Sequence, residues 1–122
     1  MKKLTLQEEE AMKAVWKTGK GFIKDFLDAY PEPKPQYTTL ASTIKKLESK
    51  GYVSGQKFGP IYEYRPVISE SEYTRKYMSG FVKDYFKNSY KDLVLSFIKQ
   101  KKLSPDELRH IIELIESPNV SQ

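Results

Sequence analysis

The sequence has no cysteine and a single histidine. The first absence excludes a disulfide framework, a thiolate metal site and a cysteine nucleophile. The second sets aside a histidine-based triad and any multi-histidine metal centre. His110 itself lies among Leu108, Ile111 and Ile112, where a packing or surface role is the expectation. No apolar run approaches the ~20 residues that a membrane span needs, so no membrane insertion is expected. The opening residues, Met1 to Glu10, carry two lysines and then three acids without the apolar stretch of a secretory signal. With 122 residues, the chain holds one domain or two very small ones, too little for a two-domain nucleotide-binding enzyme. The acid pairs, Asp106-Glu107 and the Glu8-Glu9-Glu10 run, sit at helix starts, and nothing near them would raise a carboxyl pKa for acid–base work. The expectation is a protein without catalysis, metal or cofactor.

What is present is basic charge, and it is unevenly placed. The net charge is +5, and most of the surplus falls in residues 1–66. Between Pro33 and Tyr62, Lys34, Lys45, Lys46, Lys50 and Lys57 face only Glu48. A local surplus of this kind is the footprint of a polyanionic partner, although a solvated lysine-rich surface has the same composition. The elements that carry the lysines decide between the two.

The apolar pattern assigns those elements. Thr5-Leu6-Gln7-Glu8 has the form of a capping box. Leu6, Met12, Val15 and Trp16 then make an apolar stripe that Gly19 ends. A second helix is predicted over residues 21–29 with Phe22, Ile23, Phe26 and Leu27 inward. Pro31, Pro33 and Pro35 make a stiff connection, and a third helix follows over residues 38–50. Its core face is Leu40, Ile44 and Leu47, at i, i+4 and i+7, and Gly51 caps it. Residues 52–57 and 61–65 read as strands flanking Phe58-Gly59-Pro60, with Tyr62 and Tyr64 alternating against Glu63 and Arg65; the two tyrosines could stack on bases, but this pattern favours core and cross-strand partners. Three helices and a hairpin within 66 residues make a winged helix-turn-helix, in which the third helix enters the major groove and the hairpin is the wing.

On that third helix, Thr39, Ser42 and Lys46 share one face, with Thr38, Lys45 and Ser49 beside it. Hydroxyls at the helix start suit phosphate or base edges, and the lysines suit phosphate or guanine. Thr38 fits a helix cap equally well. Lys57, next to the wing tip, is the wing's candidate phosphate contact. The DNA-binding set is therefore Thr38, Thr39, Ser42, Lys45, Lys46 and Lys57.

Residues 67–122 read as three more helices. The first, over residues 69–87, carries Tyr73, Tyr77, Phe81 and Tyr85, and the next, over residues 89–100, carries Leu93, Val94, Phe97 and Ile98. The last opens at Ser104-Pro105 with two acids in its first turn and carries Leu108, Ile111, Ile112 and Ile115, before a frayed tail from Ser117. So small a unit buries too little of itself to stand alone. A second copy would supply the missing core, with Tyr77, Phe81, Tyr85, Leu93, Phe97, Ile111, Ile112 and Ile115 as the dimerisation residues. Gly80, mid-helix, fits a close helix approach or a simple kink. The expected class is mainly α with a small β-hairpin wing: a winged helix-turn-helix domain at residues 1–66 and a helical dimerisation domain at residues 67–122.

Ala11-Met12-Lys13-Ala14-Val15-Trp16-Lys17, Tyr37-Thr38-Thr39-Leu40, Lys46-Leu47-Glu48-Ser49-Lys50-Gly51 and Tyr62-Glu63-Tyr64-Arg65-Pro66 together resemble the penicillinase-repressor family. Leu93 to Phe97 and Leu103 to Leu108 extend the resemblance along nearly the whole chain. It implies a cytoplasmic bacterial repressor that acts as a homodimer on double-stranded DNA operator dyads. It also implies recognition-helix contacts at Thr38, Thr39, Ser42 and Lys46. Derepression by a membrane-sensor-controlled protease, cutting in the region of Ser96-Phe97, comes from the same resemblance. The copper-responsive branch uses a cysteine motif that this chain lacks. The alternative to DNA binding is a winged-helix module that docks a protein.

Overall fold

The computed structural model describes residues 2–116, and its elements run α1 (Leu6–Thr18), α2 (Ile23–Ala29), α3 (Tyr37–Ser49), β1 (Val53–Phe58), β2 (Ile61–Pro66), α4 (Glu70–Phe86), α5 (Tyr90–Lys99) and α6 (Pro105–Glu116). The class expected from the sequence is the one observed: helices with one two-stranded antiparallel hairpin after the third. The chain forms two compact units, Met1–Arg75 and Lys76–Gln122. The tail from Ser117, expected to fray, lies outside the described residues.

In the first unit α1, α2 and α3 enclose Met12, Val15, Phe26, Leu40, Ile44 and Leu47, all fully buried. The Thr5 capping box forms: Thr5 Oγ1 accepts from the Glu8 amide at 3.2 Å, and the Thr5 amide donates to Glu8 Oε1 at 2.8 Å. Leu6 is not part of the inward stripe. It is 73% exposed, and Leu4, two residues before it, takes a core place at 7%. The reason is the cap, which makes Leu6 the first helical residue while Leu4 still lies on the incoming chain. Phe22 is likewise not an inward helix residue but the N-cap of α2, half-buried, its ring 6.4 Å from Phe58.

The hairpin closes with two residues. Phe58 pairs with Ile61, leaving Gly59-Pro60 as the turn. Gly59 has φ +58°, and proline cannot follow it into positive φ, so the pair has the form of a type II′ turn. Gly55 sits opposite Tyr64, and a Cβ there would lie 2.8 Å from the Tyr64 ring, so only glycine lets this ring lie across β1. Gly21 adds a third, one-residue strand on the other edge of β2 through reciprocal bonds with Tyr64 of 2.8 and 3.0 Å.

The first unit also takes in the chain beyond the hairpin. Ile68 is buried, and its carbonyl accepts from the Trp16 indole N–H at 2.9 Å. Tyr73, in the second turn of α4, packs beside Trp16 and Tyr52 and donates its hydroxyl proton to Glu9.

In the second unit, capping is as the sequence suggests. Ser89 caps α5, and Ser104 and Glu107 form a reciprocal box at α6. Its interior is small. Val82 and Leu93 are the buried hydrophobics there among the described residues, whereas Tyr77, Tyr85, Phe97, Ile111 and Ile112 are exposed and Phe81 is half-buried. Nothing lies within 4 Å of a Cβ built on Gly80, so the chain's own packing gives that glycine no reason. The side chain of Ile115 lies outside the described residues.

Candidate nucleic-acid interface

The period of α3 separates two faces. Leu40, Thr43, Ile44 and Leu47 point into the core, with the Thr43 hydroxyl satisfied by the Thr39 carbonyl at 2.9 Å. Thr38, Thr39, Ser42, Lys45, Lys46 and Ser49 are all exposed. The structure therefore brings the five helix residues of the candidate set to one solvent-facing surface.

The helix begins one residue earlier than expected, and this settles the role left open for Thr38. Gln36 is the N-cap, it makes no side-chain cap hydrogen bond, and no acid occupies the first turn. Thr38 and Thr39 are inside the helix rather than capping it. The first-turn amides of any helix lack intrahelical acceptors and carry the positive end of its dipole. Here they meet solvent together with two hydroxyls.

The lysines divide by what they touch. Lys34 Nζ donates to the carbonyls of Leu27, Asp28 and Tyr30 at 2.9–3.1 Å and so closes the C-terminal end of α2. Lys50 Nζ lies 2.6 Å from Glu8 Oε1 and 3.0 Å from the Lys3 carbonyl. Both belong to the fold, so the basic surplus between Pro33 and Tyr62 reduces to Lys45, Lys46 and Lys57. Lys45 and Lys46 are exposed on α3, and Lys57 is exposed on β1. Lys57 pairs across the hairpin with Tyr62, and the Tyr62 ring in turn holds Lys45 Nζ at 5.7 Å from its centroid.

Tyr62 is a cross-strand partner, as expected, opposite Lys57, but it is not core. Its neighbour Tyr64 is core, 4% exposed, and its phenol is pushed up by burial, the Glu48 carboxylate and the Tyr62 and Tyr37 hydroxyls, which keeps it neutral. Tyr62 is 42% exposed and faces α3 instead. A two-residue turn assumed at Gly59-Pro60 would have set it opposite Lys57 from sequence alone. Its contact with Lys45 needed the fold.

Compared with known proteins, residues 4–117 match the penicillinase repressor family. The chain belongs to that family. Similar relatives include the methicillin resistance regulatory protein MecI of Staphylococcus aureus strain N315, 24% identical over 109 residues, covering 88% of this chain and 89% of the relative. The penicillinase repressor of Bacillus licheniformis is 24% identical over 110 residues, covering 89% of this chain and 86% of the relative. MecI of Mammaliicoccus sciuri is 27% identical over 77 residues, 63% of each chain. The penicillinase repressor family is one of DNA-binding transcriptional repressors, and three helices followed by a hairpin are consistent with a winged helix. No described helix is long and apolar enough to cross a membrane, and no three candidate ligands cluster as a metal site among the described residues.

Proposed function

We propose that this chain is a cytoplasmic repressor that binds an operator dyad as a homodimer. Thr38, Thr39, Ser42 and Lys46 meet bases or phosphates in the major groove. Lys45 and Lys57 neutralise the phosphates beside it. The observation that carries this reading is the exposed hydroxyl and lysine surface of α3, which opens at an uncapped, acid-free helix start. Lysines elsewhere in that stretch, Lys34 and Lys50, serve the fold instead.

The dimer rests on the second unit. Three helices that expose Tyr77, Tyr85, Phe97, Ile111 and Ile112, with Val82 and Leu93 their buried hydrophobics among the described residues, lack the core that a small unit needs. A second copy of the same surface supplies it with closed two-fold symmetry, which matches a DNA dyad. Derepression follows when a protease, under the control of a membrane sensor, cuts α5 near Ser96-Phe97 and divides that shared core.

The test is a salt-titrated binding measurement on a duplex dyad selected from random sequence by the protein itself. Three lysines per protomer on two half-sites should cost about a thousandfold in affinity between about 50 and 200 mM salt. A protein-docking module would select no duplex and show no such slope.

A further inference from the structure

We infer that Tyr62 is a positioning residue for DNA binding: its ring, on the hairpin, holds Lys45 of α3 in place for a phosphate. The inference rests on the repressor reading above and adds to it a hairpin residue that holds a lysine of the helix.

Free lysine side chains are long and rotamer-rich, and fixing one costs conformational entropy at the moment of binding. A lysine already held in its bound direction loses less. Lys45 projects from the exposed face of α3 with Nζ 5.7 Å from the Tyr62 centroid, within the ~6 Å at which a cation is attracted to an aromatic face. Lys57, on β1, is set directly opposite Tyr62 by the antiparallel register. Successive residues of a strand alternate in side, so Lys57, Tyr62 and Tyr64 share the face turned to α3, while Phe58 and Ile61 lie on the other.

The base of this ring is fixed from below. Tyr64, next but one along β2, stacks 6.2 Å away and is itself buried over Gly55. Tyr62 is thus aligned by a core residue while remaining 42% exposed. Burial alone would not need a tyrosine here. Its function is met when a phosphate arrives at the Lys45 ammonium.

The experiment uses the full chain, the wild-type-selected duplex dyad, and the variants Tyr62→Leu, Tyr62→Phe, Lys45→Ala and the double variant Lys45→Ala/Tyr62→Leu. In the free protein, NMR should show the Lys45 side-chain methylene protons shifted by the ring in wild type and Tyr62→Phe, and unshifted in Tyr62→Leu. On DNA, Tyr62→Leu should weaken binding by about two- to fivefold per half-site, the size of an exposed cation–π contact. Tyr62→Phe should bind as wild type, because the ring and not the hydroxyl is required. Adding Tyr62→Leu to Lys45→Ala should cost less than Tyr62→Leu costs alone, the non-additivity of residues that act as a unit. Additive losses, or a Tyr62→Phe loss equal to that of Tyr62→Leu, overturn the positioning role while the repressor reading stands. Wild type that binds no duplex overturns both.

Discussion

Lys50 Nζ lies 2.6 Å from the carboxylate of Glu8, joining the end of α3 to the start of α1 across 42 positions of sequence. Glu8 is doubly engaged, since the same oxygen accepts from the Thr5 amide at 2.8 Å. Burial raises the Glu8 pKa, but the bonds from Lys50 and Thr5 and the Lys50 charge outweigh it and the net direction is down. One side chain thus caps a helix and clamps two helices together.

Removing Lys50 therefore tests more than a surface charge. Lys50→Ala should lower unfolding free energy by about 1–3 kcal/mol, because it leaves a buried carboxylate with one partner fewer. The sign with pH follows from the lowered native pKa. The stabilisation from Glu8 is fully present above the ordinary glutamate value and is lost as pH falls through the native one. Urea denaturation of wild type and Lys50→Ala should show a gap at neutral pH that narrows in acid; a gap independent of pH would contradict the assignment.

Element types in this chain were legible, and several contacts were not. Period 3.6 in Leu40, Ile44 and Leu47 and the capping residues Thr5 and Ser104 are local signals, and each element formed where they pointed. The exposed set Thr38, Thr39, Ser42, Lys45 and Lys46 was legible for the same reason, since the core face fixes the opposite one. Lys34 and Lys50 read as free charge because their acceptors, the α2 carbonyls and Glu8, are known only after the chain has turned back. Leu4 and Ile68 went unnoticed because neither belongs to a periodic stripe; both pack from irregular chain onto the helices. Tyr62 looked like core because strand alternation tells which residues share a face, not how far along the strand that face stays covered.

Contacts on α3 separate by position. Lys46→Ala should weaken operator binding and lower the salt slope by about one unit per half-site if Lys46 meets phosphate, or relax preference at one base pair by about 1–3 kcal/mol if it meets a base. Ser49→Ala, near the helix end, should change neither. Fluorescence anisotropy over a salt series reads both, and equal losses for the two variants would mean that the helix lies in the groove in another orientation.

The exposed apolar surface of the second unit predicts a solution state. Full-length protein should sediment as a dimer at micromolar concentration. Ile112→Asp places a charge on a side chain that is 45% exposed in the single chain and that a partner would cover. That variant should dissociate the dimer while leaving the circular dichroism of the winged-helix unit intact. A monomeric wild type would contradict the shared core.

Breaking the dimer should release the operator without altering any DNA-contacting residue. A dimer on a dyad gains because its second half binds at an effective concentration near ~mM, and an isolated winged helix has no such gain. Ser96 and Phe97 lie within α5, where the Ser96 carbonyl accepts from the Gln100 amide at 3.1 Å and the Phe97 carbonyl from Lys102 at 2.9 Å. A protease cannot thread that bond while the helix is intact, so cutting there should be slow and should follow local opening. Cleavage would separate Leu108, Ile111 and Ile112 from Val82 and Leu93 and divide the apolar residues of the second unit between two pieces. A chain ending at Ser96 should therefore be monomeric and should bind a full dyad with the affinity of a single half-site. A truncated chain that remains dimeric, or that binds the dyad as tightly as the full protein, would show that derepression uses another route.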